Sequence, residues 1–101
     1  MASRIELQSK LEEILGSRSV YYQPPSSIQM TYPAIVYSRS RIQNRHANNG
    51  VYNQAVAYNV TVIDKKPDSD IVFAISRLPL CYHDRHYVSD NLNHDTFTLF
   101  Y

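Results

Sequence analysis

The sequence is poor in the residues that many functional sites require. Its single cysteine, Cys81, excludes an intrachain disulfide and gives no sign of a secreted disulfide scaffold. Because the chain has two glycines, it contains no glycine-rich phosphate loop, and neither a GxSxG nor a CxxC motif occurs. No apolar run approaches the roughly 20 residues of a membrane span, and the polar N-terminal stretch lacks the apolar core of a signal peptide. We therefore expect no enzyme, no cofactor, no metal and no membrane segment, in a protein made in the cytoplasm.

An excess of charge of either sign is also missing. Ten Lys and Arg against nine Asp and Glu give a net charge of +1, whereas dedicated nucleic-acid binders usually have a strong basic excess. Tyrosine is abundant instead, with nine Tyr, three Phe and no Trp. Tyr fills half-buried strand positions and is also enriched at protein–protein interfaces, so each Tyr has two interpretations. Nine together favour extra contact surface in a single domain of residues 1–101.

Two segments have apolar residues at helical spacing. The first covers roughly residues 3–15, beginning with a Ser3–Glu6 capping box and ending at Gly16, and has its apolar face at Leu7, Leu11, Ile14 and Leu15. The second follows a polar turn at residues 65–70 and ends at Pro79, with its apolar face at Ile71, Ala74, Ile75 and Leu78.

Five segments have the composition of strands. Two prolines restrict the first, residues 20–22, to a short or edge strand. The strands at 32–38 and 51–64 flank a polar stretch that ends in an Asn-Gly turn signal, which predicts a long-armed hairpin. Residues 80–88, a turn at 90–93 and a final strand complete the order helix, strand, strand, strand, helix, strand, strand. This order predicts an α+β fold, with a small antiparallel or mixed sheet and two helices packed on one face.

The final segment, residues 97–101, is apolar and aromatic. Chain ends are usually disordered unless they are tied into a sheet. We therefore expect this segment to pair with a strand of its own sheet or with another subunit.

A cluster of polar residues at 83–86 and 94–95 contains three His and two Asp, which are candidates for a zinc site or a general base. In a regular strand His83 and His86 point to opposite faces, so they cannot share an ion without a bulge. His86 and His94 are expected to face each other across the predicted hairpin, but two imidazoles are only half of a metal site. Pairing of Asp84 or Asp95 with Arg85, or capping of the turn, explains the cluster equally well, and Cys81 is expected to be an unreactive, half-buried thiol.

The basic stretch within the hairpin has three interpretations, which the sequence leaves open. Its arginines bind phosphate oxygens, bind acidic residues of a protein partner, or are simply solvated at the tip of the hairpin. On exposure alone, the candidate partner and oligomer interface consists of Arg39, Arg41, Arg45, His46, Tyr52, Phe97, Leu99 and Tyr101.

Three blocks, residues 32–38, 58–70 and 84–101, resemble small tail-terminator or tail-completion proteins. These proteins are encoded in the head–tail module of tailed bacteriophages and prophages of Gram-positive bacteria. The resemblance implies a structural subunit that forms a ring, usually a hexamer, at the head-proximal end of the tail tube. It implies the tail tube protein and the head connector or stopper as partners, and DNA that passes through the lumen without sequence-specific binding.

The implied location is the virion, in its tail or neck, with assembly in the host cytoplasm. An alternative within the same module is a stopper or neck adaptor. Alternatives of other classes are a small metal-dependent enzyme and a nucleic-acid-binding module.

Overall fold

The computed structural model describes residues 4–24, 29, 31–47, 50–66 and 69–101, and for residues 43–47 and 50–55 it describes the backbone alone. The elements along the chain are α1 (Arg4–Leu15), β1 (Val20–Tyr22), β2 (Ala34–Ala47), β3 (Gly50–Asp64), α2 (Asp70–Ser76), β4 (Cys81–Ser89) and β5 (Leu92–Phe100). The predicted α+β class and element order are confirmed. Neither described helix is long and apolar enough to cross a membrane.

The five strands form one mixed sheet in the order β1-β2-β3-β5-β4. β1 is parallel to β2, and the other neighbours are antiparallel. The final strand therefore lies inside the sheet, with Phe97 opposite Val60 of β3 on one side and His83 of β4 on the other. The Tyr101 amide also donates to the Val56 carbonyl at 3.0 Å. Of the two predicted pairings for the terminal segment, the structure has the one within the chain's own sheet.

Both helices pack on one face of this sheet. Leu7 and Leu11 of α1 and Ile75 of α2 are fully buried, as the helical spacing predicts. The alternation predicted for β3 is confirmed where side chains are described, because Tyr58, Val60 and Val62 are buried while Asn59 is exposed. The buried cluster that joins helices and sheet also contains Val20, Ile35, Tyr37, Val56, Phe97 and Leu99. The opposite face of the sheet, which we call the open face, carries no described helix.

Particular residues end and begin the helices and form the turn between β4 and β5. Gly16 has φ 79°, and its amide donates to the Glu12 carbonyl at 2.9 Å, so it ends α1 as predicted. Ser69 begins α2 by accepting a hydrogen bond from the Ile71 amide at 3.3 Å. Asp90 and Asn91 both have positive φ and join β4 to β5 in a two-residue turn, where Asx residues tolerate that conformation. Ser3 of the predicted capping box lies outside the described residues.

Tyr37 ties β2 to α1 through a polar network inside the core. Its side chain is 1% exposed, and its hydroxyl donates to Gln8 Oε1 and accepts from Arg4 Nη1 at 3.4 Å. Gln8 Nε2 in turn donates to the Val20 carbonyl at 3.1 Å. Burial, partly opposed by Arg4, raises the pKa of the Tyr37 phenol above its ordinary value of 10.0. The phenol is therefore held in its neutral, hydrogen-bonding form.

Replacing Tyr37 with Phe is expected to lower the free energy of unfolding by about 1–2 kcal/mol near neutral pH, because Gln8 Oε1 loses the hydroxyl that donates to it. A phenol whose pKa is raised on folding contributes stability below its ordinary pKa, and that contribution is lost as pH rises through the folded value. The wild type should therefore lose stability more steeply than Tyr37→Phe in alkaline solution. Urea unfolding at neutral and alkaline pH measures both effects, with Tyr87→Phe as the control. Equal stability of both variants at neutral pH would contradict the expected result.

Candidate interaction surfaces

The hairpin of β2 and β3 extends well beyond the rest of the sheet. β2 and β3 pair from Ala34–Ile63 to Ala47–Gly50, whereas β5 pairs with β3 only along 57–64 and β1 ends opposite Tyr37. Residues 41–47 and 50–56 thus form a two-stranded ribbon, here called the arm, with no third strand in the described part of the chain. It accounts for the elongated dimensions, 51 × 25 × 23 Å. The predicted long-armed hairpin is confirmed.

A bulge at the base of the arm places Arg39 and Arg41 on opposite faces of the sheet. The register shifts between Arg39 and Arg41, so that Arg39 pairs with Tyr58 and Arg41 with Ala57. Tyr58 belongs to the helix side, whereas Arg41 lies over the Phe100 ring on the open face, 5.7 Å from its centroid. Both arginine side chains are exposed.

The other candidate residues of the arm are Arg45, His46 and Tyr52. The structure describes only the backbone there, where Arg45 pairs with Asn53 and His46 with Val51. The prediction that these three side chains form an interface lies outside the described residues.

The candidates in the last strand require a correction. Phe97 and Leu99 are fully buried in the chain's own core, because β5 lies between two strands and both side chains point towards the helices. They cannot contact a partner in this fold. Tyr101 is half-buried and packs against the edge of the same core.

One long edge of the sheet has no neighbouring strand in the described part of the chain. β4 pairs with β5 on one side only, which leaves its outer row of backbone groups available. Apolar side chains are exposed along and beside it at Leu80, Tyr82 and Val88, and Phe73 of α2 is 53% exposed. Such an edge is a template for contact with another chain.

A second bulge rearranges the histidine cluster. The register shifts between His83 and Arg85, so that His83 faces Phe97 and His86 faces Asp95, both on the helix side. The expectation that the two imidazoles point to opposite faces is wrong for this reason. His83 Nε2 and His86 Nδ1 lie 3.1 and 3.0 Å from the same oxygen, Asp95 Oδ1. Since a carboxylate only accepts hydrogen bonds, both ring nitrogens donate.

The neighbouring polar residues have other partners than predicted. His94 stacks on Tyr87 on the open face, at 4.7 Å between ring centroids, and does not face His86. Asp84 accepts from the Thr98 hydroxyl at 2.8 Å, and Arg85 lies over the Tyr87 ring at 4.6 Å. The predicted pairing of Asp84 or Asp95 with Arg85 is therefore wrong.

Asp95 lies at the wall of a groove between α2 and β4. The groove has a volume of about 340 Å³ and is lined by Ser69, Val72, Phe73, Ser76, His83 and Asp95. Asp95 is 6% exposed, and its second oxygen, Oδ2, makes no hydrogen bond in the described part of the chain, although it is not fully buried. The groove thus has apolar walls and a carboxylate whose free oxygen is held in place by two imidazoles.

The described residues offer neither a metal-binding cluster nor a reactive thiol. Among the described residues, no group of three or more His, Cys, Asp or Glu is arranged to hold a metal ion. Cys81 is half-buried, and burial, reinforced by Asp84, raises the pKa of its thiol. A thiol with a raised pKa is a poor nucleophile, in agreement with the predicted unreactive role.

The groove is the feature that sequence reasoning missed. The available signal was the pair His83 and His86 with an Asp in the next strand, but the bulge that unites them has no glycine to mark it. The arm, in contrast, was visible as two β-favouring segments around an Asn-Gly turn. No protein-family model and no curated protein matches the chain.

Proposed function

We propose that the chain is a virion structural protein, a ring-forming tail terminator that caps the head-proximal end of a phage tail tube and helps to join tail to head. Its role in this proposal is assembly and not catalysis. The resemblance of the three sequence blocks supplies the family, and the confirmed α+β order is consistent with it. The arm is the structural observation that carries the proposal.

The arm needs a partner on physical grounds. An isolated two-stranded ribbon is at best marginally stable in water, because it has no third strand or helix on which to bury side chains. At the base of the arm Val56 is buried in the core and Arg41 lies over Phe100, but no third described strand pairs with the arm along its seven residues of β2 and seven of β3. Docking on another subunit would supply the missing contacts.

The position of the exposed surfaces suits a ring. A closed ring requires a heterologous interface, in which two different patches of each subunit meet. The sheet order separates the β1–β2 side, where the arm begins, from the unpaired edge of β4 and the exposed Phe73 beside it. Two unlike patches on opposite sides of a subunit allow head-to-tail contact between copies, and we propose a hexamer by family resemblance.

The partners follow from this role. The tail tube protein would bind one face of the ring and the head connector or stopper the other, while DNA passes through the lumen without sequence-specific contacts. A net charge of +1 is consistent with protein partners, because it provides little general attraction for DNA. The location we propose is the virion neck, after assembly in the host cytoplasm.

Capping of tail tubes tests the proposal. The purified chain should form rings by mass measurement, and electron microscopy should find them at one end of tubes assembled from the tail tube protein. Tube growth at that end should stop. Rings that bind the head connector and leave tubes uncapped would instead favour the stopper or neck adaptor. A chain that remains monomeric and binds neither would contradict both roles.

A nucleic-acid-binding module is a second candidate, supported by the open face. There Arg41 lies over Phe100 and Arg85 over Tyr87, so that two guanidinium groups and two aromatic rings share a sheet face that no described helix covers. Such surfaces stack on single-stranded bases. This candidate requires binding of single-stranded DNA that weakens steeply with salt and is lost on charge reversal at Arg41 and Arg85. Absence of binding at low salt would exclude it.

A further inference from the structure

We propose that the groove between α2 and β4 receives the side chain of Arg39 from a neighbouring copy of the chain, with the guanidinium on Asp95 Oδ2. This contact deepens the proposed function and rests on it, because it specifies how one subunit of the ring holds the next. Three features favour this contact: the chemistry of the groove, the position of Arg39 and the order of the strands.

The groove has the chemistry of a site for a long cationic side chain. Val72 and Phe73 provide apolar walls, and Ser69 and Ser76 add hydroxyl groups. Arginine places its apolar stem along such walls while its guanidinium binds a carboxylate. The carboxylate is Asp95, whose Oδ2 lacks a partner in the described part of the chain and is not fully buried.

The two imidazoles prepare this carboxylate for a partner. His83 and His86 both donate to Oδ1, at 3.1 and 3.0 Å, which fixes the orientation of the Asp95 side chain. A fixed carboxylate loses less conformational freedom when it binds than a mobile one. The bulge between His83 and Arg85 is required for this arrangement, since it places both rings on the side of the groove.

Arg39 is suited to the groove by its side of the sheet. It is exposed, and the bulge that separates it from Arg41 leaves it on the helix side with Tyr58. The groove lies on the same side of the sheet, between α2 and the edge strand β4. Copies that stand side by side with their helices on a common side would therefore bring Arg39, and not Arg41, towards Asp95.

The strand order places the two partners at opposite ends of the subunit. Arg39 is on β2, just beyond the end of β1, and its amide contacts Gln23 Oε1 at 3.5 Å near that edge. The groove adjoins β4, which is the other edge strand. Complementary charges at opposite edges allow each subunit to donate one arginine and accept one, as head-to-tail association requires.

Sedimentation of the purified chain of residues 1–101, across a range of concentrations, tests this contact. Asp95→Asn and Arg39→Gln should each lower the association constant per contact by about tenfold or more, because each removes a charge-assisted pair. The matched controls Asp90→Asn and Arg18→Gln make the same charge changes at exposed positions outside the groove and the arm, and they should change the constant by less than about threefold. The double variant Asp95→Asn/Arg39→Gln should associate only slightly more weakly than either single variant, since each single change already removes the same interaction.

A second pair of variants tests the contact without changing Asp95. Phe73→Ala removes a half-exposed wall of the groove and should weaken association, whereas Ile5→Ala, which truncates an exposed apolar residue of α1 outside the groove lining, should not. Circular dichroism checks that each variant is folded. An effect of Arg18→Gln as large as that of Arg39→Gln, or additive losses in the double variant, would overturn the contact.

The outcomes separate this inference from the proposed function. If the stability of the rings is unchanged by substitution of Asp95, Arg39 and Phe73, the arginine contact is overturned, but the terminator role is not contradicted. Rings that depend on the contact but leave tail tubes uncapped would support the contact and contradict the role. A wild-type chain that stays monomeric at every concentration would overturn both.

Discussion

A chain that lacks residues 97–101 is expected to remain unfolded. The deletion removes Phe97 and Leu99, which are fully buried, and it removes the strand positions opposite Cys81, Tyr82 and His83 of β4. Truncating one buried Leu or Phe to Ala costs about 2–5 kcal/mol. Because a domain of this size typically has only about 5–15 kcal/mol of stability, losing both side chains and their strand leaves too little to fold. Far-UV circular dichroism and urea titration should find no cooperative transition.

Milder changes at the same end provide the controls. Deleting Tyr101 alone removes one amide hydrogen bond to Val56 and a half-buried ring, and the chain should still unfold cooperatively at lower denaturant. Thr98→Ala, on the open face, should cost only about 1 kcal/mol through its lost hydrogen bond to Asp84. A chain without residues 97–101 that unfolded cooperatively would contradict the placement of β5 inside the sheet.

The predictable part of the fold is the part that local patterns determine. Leu7, Leu11 and Ile75 recur at helical spacing and are buried as expected, and Asp90-Asn91 forms a turn within the predicted residues 90–93. Tyr58, Val60 and Val62 alternate with polar residues and face the helices. In each case a few neighbouring residues carry the signal, because the period of the element and the chemistry of a turn act over short distances.

The order of the strands and the candidate site depend on contacts between distant segments. Insertion of β5 between β3 and β4 joins Val60 to Phe97, and no local pattern specifies that neighbour. The bulges near Arg39 and His83 are equally hidden, since neither contains the glycine that often marks one. A shift of one residue reverses the face of every later side chain, which is why the shared contact of His83 and His86 with Asp95 could not be predicted.

Removing most of the arm is expected to abolish association while leaving the subunit folded. Residues 44–54 are replaced by Asn-Gly, which joins Gln43 to Ala55, two residues that face each other in the hairpin. An Asn-Gly pair forms the two-residue turn that such strands require. The buried core cluster lies outside the excised residues, so the thermal midpoint should change little. Mass measurement should find monomers where the wild type forms rings.

The arm variant distinguishes two reasons for having a long hairpin. If the arm exists to hold neighbouring copies, its loss should lower association at least about a hundredfold, because a whole docking surface disappears and not one charge pair. The Asp90→Asn change in the other hairpin should have no comparable effect. If rings persist without the arm, the unpaired edge of β4 and the groove beside it must hold the subunits unaided. Loss of folding on excision would mean instead that the ribbon stabilises its own subunit, contrary to its position outside the core.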